Sequence, residues 1–132
     1  MKKELVIPIY DCLITIYVVD NINTVTKSLK LEYDINKEIF ECRGCVFNEI
    51  TPKYQIRLYV MVVKYESLKK DYFNTIGHEL LHLVQDILEA KHIIFKKKDA
   101  NETYAYLQGY ILGETFEFFE QAYTKFKRKK IK

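Results

Sequence analysis

The chain has 132 residues, 48% of them hydrophobic and 14% aromatic, with four glycines, two prolines and three cysteines. That length suits a single domain spanning 1–132, and the apolar content excludes compositional disorder and supports a core without disulfides. The net charge is +3, yet six of the 21 basic residues and no acid fall in Lys125 to Lys132, so the remainder is net −3: a mildly acidic body with a strongly basic tail, 125–132.

At the N-terminus, Lys2 and Lys3 precede the apolar run Leu5 to Tyr10, which has the look of a secretion signal. Asp11 interrupts the run, and no small-residue cleavage site follows before Asp20, so a strand is expected instead. No run reaches transmembrane length. An odd number of cysteines without a signal points to a reducing compartment, and the expected location is the cytoplasm.

Leu5 to Val19, rich in Val, Ile, Tyr and Thr, reads as a first strand bent at Pro8 or Asp11. Asp20 or Asn21 can cap a short helix whose Ile22, Val25 and Leu29 form one stripe. Tyr33 to Glu38 is turn-like. Ile39 to Phe47 reads as a strand pair, or a strand kinked at Arg43-Gly44. Cys42 and Cys45 form a C-x-x-C, able to bind a metal or cycle as a redox pair, but without a second such pair it reads as a turn carrying thiols. Asn48 to Tyr54 reads as a loop. Gln55 to Val63 is the strongest strand; its Ile56, Leu58, Val60 and Val62 share one face. The other face, with Gln55, Arg57 and Tyr59, is mixed, which suits a sheet edge.

A helix is expected from Tyr72 to Leu88. Its Phe73, Ile76, Leu80, Leu83, Val84 and Ile87 cluster on one side at about 100° per residue. Within it lies His78-Glu79-Leu80-Leu81-His82, an H-E-x-x-H zinc motif. Residues i and i+4 share a helix face, so two imidazole nitrogens can each approach one Zn²⁺ to about 2.1 Å. Glu79, offset by about 100°, can reach a water at the metal as a general base. After a basic connection, Lys91 to Lys98, a last helix runs from about Glu102 toward Lys125, capped by Asp99 or Asn101. Gly109 and Gly113 fall on the face of Glu102. With Gly77 they suggest a close helix–helix approach, although each costs about 1 kcal/mol relative to Ala.

A catalytic zinc takes a third protein ligand. Glu89 lies roughly 10 Å along the axis beyond His82, too far for the same ion. His92 would require the helix to break after His82. Asp86, one turn after His82, is better placed to orient an imidazole. Glu102 fits best, opening the next helix after the 19 residues Leu83 to Asn101.

The combination His78-Glu79-x-x-His82-x19-Glu102, with Asn101 before the Glu, resembles the gluzincins, the thermolysin-like metallopeptidases. The likeness covers roughly Gln55 to Tyr123. It implies one zinc per chain held by His78, His82 and Glu102, with Glu79 as base and proton shuttle. It implies an α+β, minimal zincin-like domain: a small mixed or antiparallel sheet with one short helix, then the motif helix and a C-terminal ligand-bearing helix. The run Glu102-Thr-Tyr-Ala-Tyr-Leu-Gln-Gly-Tyr110 is similar, more loosely, to small proteins of phages and mobile elements.

Where many gluzincins place an Asp one turn after the ligand Glu, this chain has Tyr106. Asp86, Asp99 or a backbone carbonyl would then hold the histidines. Tyr104, Tyr106, Tyr110, Tyr54 and Tyr59 are the candidates for stabilising an oxyanion. The leading expectation is a zinc metallopeptidase whose extended peptide substrate lies along the strand of Gln55, Arg57 and Tyr59. The alternatives are a zincin-fold protein-binding module that cleaves nothing, and a protein that binds nucleic acid through 125–132.

Overall fold

Four strands and two long helices make up the computed structural model, which describes residues 1–22, 44–50, 57–94 and 98–131. The strands are β1 (Lys2–Ile7), β2 (Cys12–Val19), β3 (Gly44–Ile50) and β4 (Arg57–Lys64); the helices are α1 (Lys69–Glu89) and α2 (Lys98–Ile131). The fold is α+β with a mixed sheet in the order β1-β2-β4-β3. The β1–β2 and β3–β4 pairs are antiparallel, and β2–β4 is parallel.

The single bent strand expected over Leu5 to Val19 is instead a hairpin. Proline lacks a backbone donor and fixes φ near −65°, and Pro8–Tyr10 forms one 3-10 turn. Asp11 then takes φ 46°, a left-handed conformation that Asp tolerates. The chain reverses, and Ile7 pairs with Cys12. The helix expected after Asp20 lies, beyond Ile22, outside the described residues, as do Cys42 and the first part of the Ile39 to Phe47 segment. Asn48 to Ile50 belong to β3 rather than to a loop.

The strongest strand is central, not an edge. β4 pairs along its length with β2 on one side and β3 on the other, leaving β1 and β3 as the outer strands. Both faces of β4 are covered. Tyr59, Met61 and Val63 join Ile14, Ile16 and Val18 beneath the helices. Leu58, Val60 and Val62 belong to a second apolar cluster with Val19 and Ile22. The polar-looking face of the sequence is thus made of long side chains, Tyr59 and Met61, that reach into the helical layer.

α1 buries Ile76, Leu80, Leu83, Val84 and Ile87 of the predicted stripe, with Tyr72 added and Phe73 only half-buried. Full burial of such side chains is worth about 1.5–3 kcal/mol each before entropy. Asp71 in its first turn suits the helix dipole. α2 runs antiparallel to α1: the Tyr72 hydroxyl donates to the Phe119 carbonyl at 2.8 Å, and the Tyr123 hydroxyl donates to that of Ser67 at 2.9 Å. The interface is filled by bulky residues such as Leu107, Ile111 and Phe119. Close approach through glycine does not occur, since a Cβ built at Gly77, Gly109 or Gly113 meets nothing within 4 Å.

The basic tail continues α2. Arg128, Lys129 and Lys130 sit in its last turn, where cations complement the dipole. Lys129 covers the Phe126 ring and Lys130 the Tyr65 ring, and Lys130 also lies 3.5 Å from Asp20. Among the described residues no helix is long and apolar enough to cross a membrane.

Candidate functional site

The helical phase of α1 sorts the motif as its chemistry requires. The stripe through Ile76, Leu80 and Leu83 faces the core, so His78 and His82 emerge on the exposed side, one turn apart. Their Nε2 atoms stand 3.2 Å apart, with ring planes inclined at 77°. Two nitrogens bound tetrahedrally at about 2.1 Å from one ion stand about 3.4 Å apart. The separation of the pair is thus close to that of two ligands in a zinc coordination sphere. Without a metal, one ring donates its N–H to the other, which sets complementary tautomers.

Glu79 points differently, and that is what distinguishes it from a ligand. The residue is only 7% exposed, and its Oε1 lies 4.0 Å from Nε2 of His78. Burial raises its carboxyl pKa above the usual range, partly opposed by the neighbouring His78 and His82. A carboxylate with raised proton affinity, beside two metal-competent imidazoles, suits a group that accepts a proton and gives it back.

The wall behind Glu79 is β3. A Cβ built at Gly44 would stand 2.7 Å from the Glu79 Cγ, 3.1 Å from the Thr75 Cγ2 and 3.0 Å from the Val62 carbonyl oxygen. Sequence reasoning missed this neighbour. Its signal was a glycine in a strand, which marks close backbone approach.

Among the described residues Glu102 is not grouped with the pair into a set of three metal donors. It is exposed, on the first turns of α2. The Tyr104 hydroxyl donates to the Ile93 carbonyl at 2.7 Å, which sets this part of α2 beyond the C-terminal end of α1. His82 lies seven residues before that end, roughly 10 Å along the axis. Nine residues at about 100° each also put Glu102 half a turn away from buried Ile111. Among the described residues no three or more of His, Cys, Asp and Glu group to hold a metal ion. Among the described residues the two histidines are the donors that stand together and could hold an ion.

Other candidates are placed as follows. Asp86 is half-buried one turn after His82, and its backbone carbonyl accepts a long 3.5 Å bond from the Tyr59 hydroxyl. Tyr59 is 1% exposed, and burial raises its pKa to about 12. It packs under α1, which rules it out as a substrate-strand or oxyanion residue on an open edge. Tyr104 is buried and spends its hydroxyl on Ile93, so it ties the helix connection instead of facing the pair. Tyr106 is 75% exposed and lines a groove with Ile7, Pro8, Ile9, Tyr10 and Tyr110. Arg57 is half-buried at the start of β4. His92 adopts φ 61° in the exposed turn ending α1. Gln55, Tyr54 and the side chain of Asp99 lie outside the described residues. Comparison with models of known protein families, with curated proteins and with solved structures finds no match.

Proposed function

We propose that this chain is a zinc-dependent hydrolase of peptide bonds, on a minimal zincin-like fold. One observation carries the reading: the converging Nε2 atoms of His78 and His82, 3.2 Å apart, beside the buried carboxylate of Glu79. His78 and His82 would hold the ion. Glu102 is assigned as third ligand on its spacing from His82. When bound, Zn²⁺ lowers the pKa of a water toward about 7 and polarises a carbonyl.

Glu79 accepts the proton of the attacking water and returns it to the leaving amine. Its burial supports the first half of that cycle, because a desolvated carboxylate has a raised affinity for a proton. An extended substrate has a place to lie: among the described residues β3 is an outer strand, and its start lies against Glu79, so a peptide could add to that edge by backbone hydrogen bonds. This transfers the substrate role from β4, which has no open edge.

The test is Glu79→Gln. The variant should fold, keep one zinc per chain and lose peptide hydrolysis by about 10²–10⁴-fold. Cleavage of a peptide library at the parental rate would end this reading. That no third donor groups with the histidines among the described residues favours a second one: a protein-binding domain that uses the same strand and cleaves nothing. Partner binding that survives Glu79→Gln, in a parent that cleaves no peptide, would establish it.

A further inference from the structure

We propose that Gly44 is a positioning residue for Glu79: the missing side chain at 44 lets β3 run against α1 and holds the carboxylate beside His78. The catalytic consequence rests on the hydrolase reading above; the contact itself does not.

Glycine is unfavourable within a strand, where it gives up backbone entropy and packs nothing. Conformation does not require it here, because no described glycine has positive φ. Gly44 sits in regular antiparallel register opposite Val63, a place any residue could occupy. Space is the remaining reason. Thr75 and Glu79, one turn apart on α1, are 8% and 7% exposed, and both face position 44.

A methyl there would meet the Glu79 Cγ at 2.7 Å. Cγ is not a loose tip. It follows directly on Cβ, so relieving the contact means turning χ1, and the carboxylate moves with it. The other escape is to push β3 away from α1, which also opens the wall behind Glu79. His78 and His82 are exposed, and neither supplies one of the three atoms nearest to a methyl at 44. The metal-binding pair and the base are thus separable by one methyl group.

The experiment uses the full chain, with zinc as the probe, in two parts. In the first, Gly44→Ala should bind zinc within about threefold of the parent affinity. Its kcat should fall about 10–100-fold with KM within about threefold, the signature of a displaced base. Unchanged kcat would overturn the proposal. The second part needs no substrate. Thermal midpoints of the metal-free proteins are compared for the parent, Gly44→Ala, Glu79→Ala and the double variant. Because Glu79→Ala removes the Cγ, Gly44→Ala should lower the midpoint by several degrees in the parent and much less in the Glu79→Ala background. If Gly44→Ala alone fails to fold while the double variant folds, the contact is equally supported. Equal losses in both backgrounds, or a double variant that does not fold, would place the clash on the Val62 carbonyl or the Thr75 methyl and sink the proposal. If the parent cleaves nothing, the hydrolase reading fails and this cycle still decides the role of Gly44.

Discussion

The motif helix α1 has two flanks that could hardly differ more. On one, β3 comes so near that only a residue without a side chain fits opposite Glu79. On the other, α2 is held off by bulky residues, and Gly77, Gly109 and Gly113 face open space. The tight flank fixes the carboxylate. The loose flank belongs to the helix that carries Glu102, which is exposed on its first turns. The contrast separates a site half built by local geometry and strand packing from a half that depends on how one helix seats against another.

The largest expected effect tests that division directly. His78→Ala and His82→Ala should each reduce zinc affinity by well over 100-fold, since losing even an outer-shell partner costs about 10–100-fold. Bound metal after dialysis should fall from about one per chain to near zero. Glu102→Ala should weaken binding by at least about tenfold if it completes the site. Parental affinity in Glu102→Ala would leave the ion on two histidines and water and would remove the resemblance to the gluzincin ligand set. Circular dichroism of each variant separates ligand loss from unfolding, and all three residues are exposed.

A smaller effect probes the tight flank. Glu79 carries a raised pKa because it is buried. The folded state therefore holds its proton more tightly than the unfolded chain does. That contribution to stability is fully present below the usual carboxylate range and is lost as pH rises through the raised value. Glu79→Gln removes the titrating group. In metal-free protein kept in chelator, the variant should be more stable than the parent at neutral pH, and the difference should shrink to nothing below about pH 4. A difference that grows on acidification would mean that Glu79 is stabilised as an anion, and the buried-base description would fail.

Much of α1 was legible because its information is local. Apolar spacing from Tyr72 to Ile87 fixes the buried stripe, and the i, i+4 rule then forces His78 and His82 onto one exposed face. No tertiary knowledge is needed for the 3.2 Å pair. The α+β class was legible for the same reason. Strand order was not. Tyr59 and Met61 look like the mixed face of an edge strand, yet both lie beneath the helices, because burial of an amphipathic ring depends on what sits above it. The hairpin at Pro8 was hidden by a continuous β-rich composition, broken only by the 3-10 turn and the left-handed Asp11. Gly44 was visible as an oddity, but its neighbour across the fold was not. Glu102 shows the limit most clearly: its spacing from His82 matches a ligand pattern, whereas the packing of Leu107 and Ile111 sets the phase of α2 and turns it outward.

The smallest effect sharpens the comparison most. Gly109 and Gly113 lie inside α2, are exposed and have room for a methyl group. Alanine at either should stabilise the metal-free protein by about 1 kcal/mol, the ordinary helix-propensity difference. That corresponds to a rise in thermal midpoint of about 2–8 °C, opposite in sign to Gly44→Ala. Repeating the measurement with saturating zinc adds a second reading. If Glu102 ligates from the position that the structure gives α2, the gain should be the same with and without metal. If the ion draws this flank toward α1, glycine on that side becomes useful only in the loaded state. The gain from Gly113→Ala should then shrink or reverse with zinc while persisting in chelator. That reversal would explain why a helix keeps two costly glycines facing open space, and it would place the remaining half of the site in the metal-bound form of the protein.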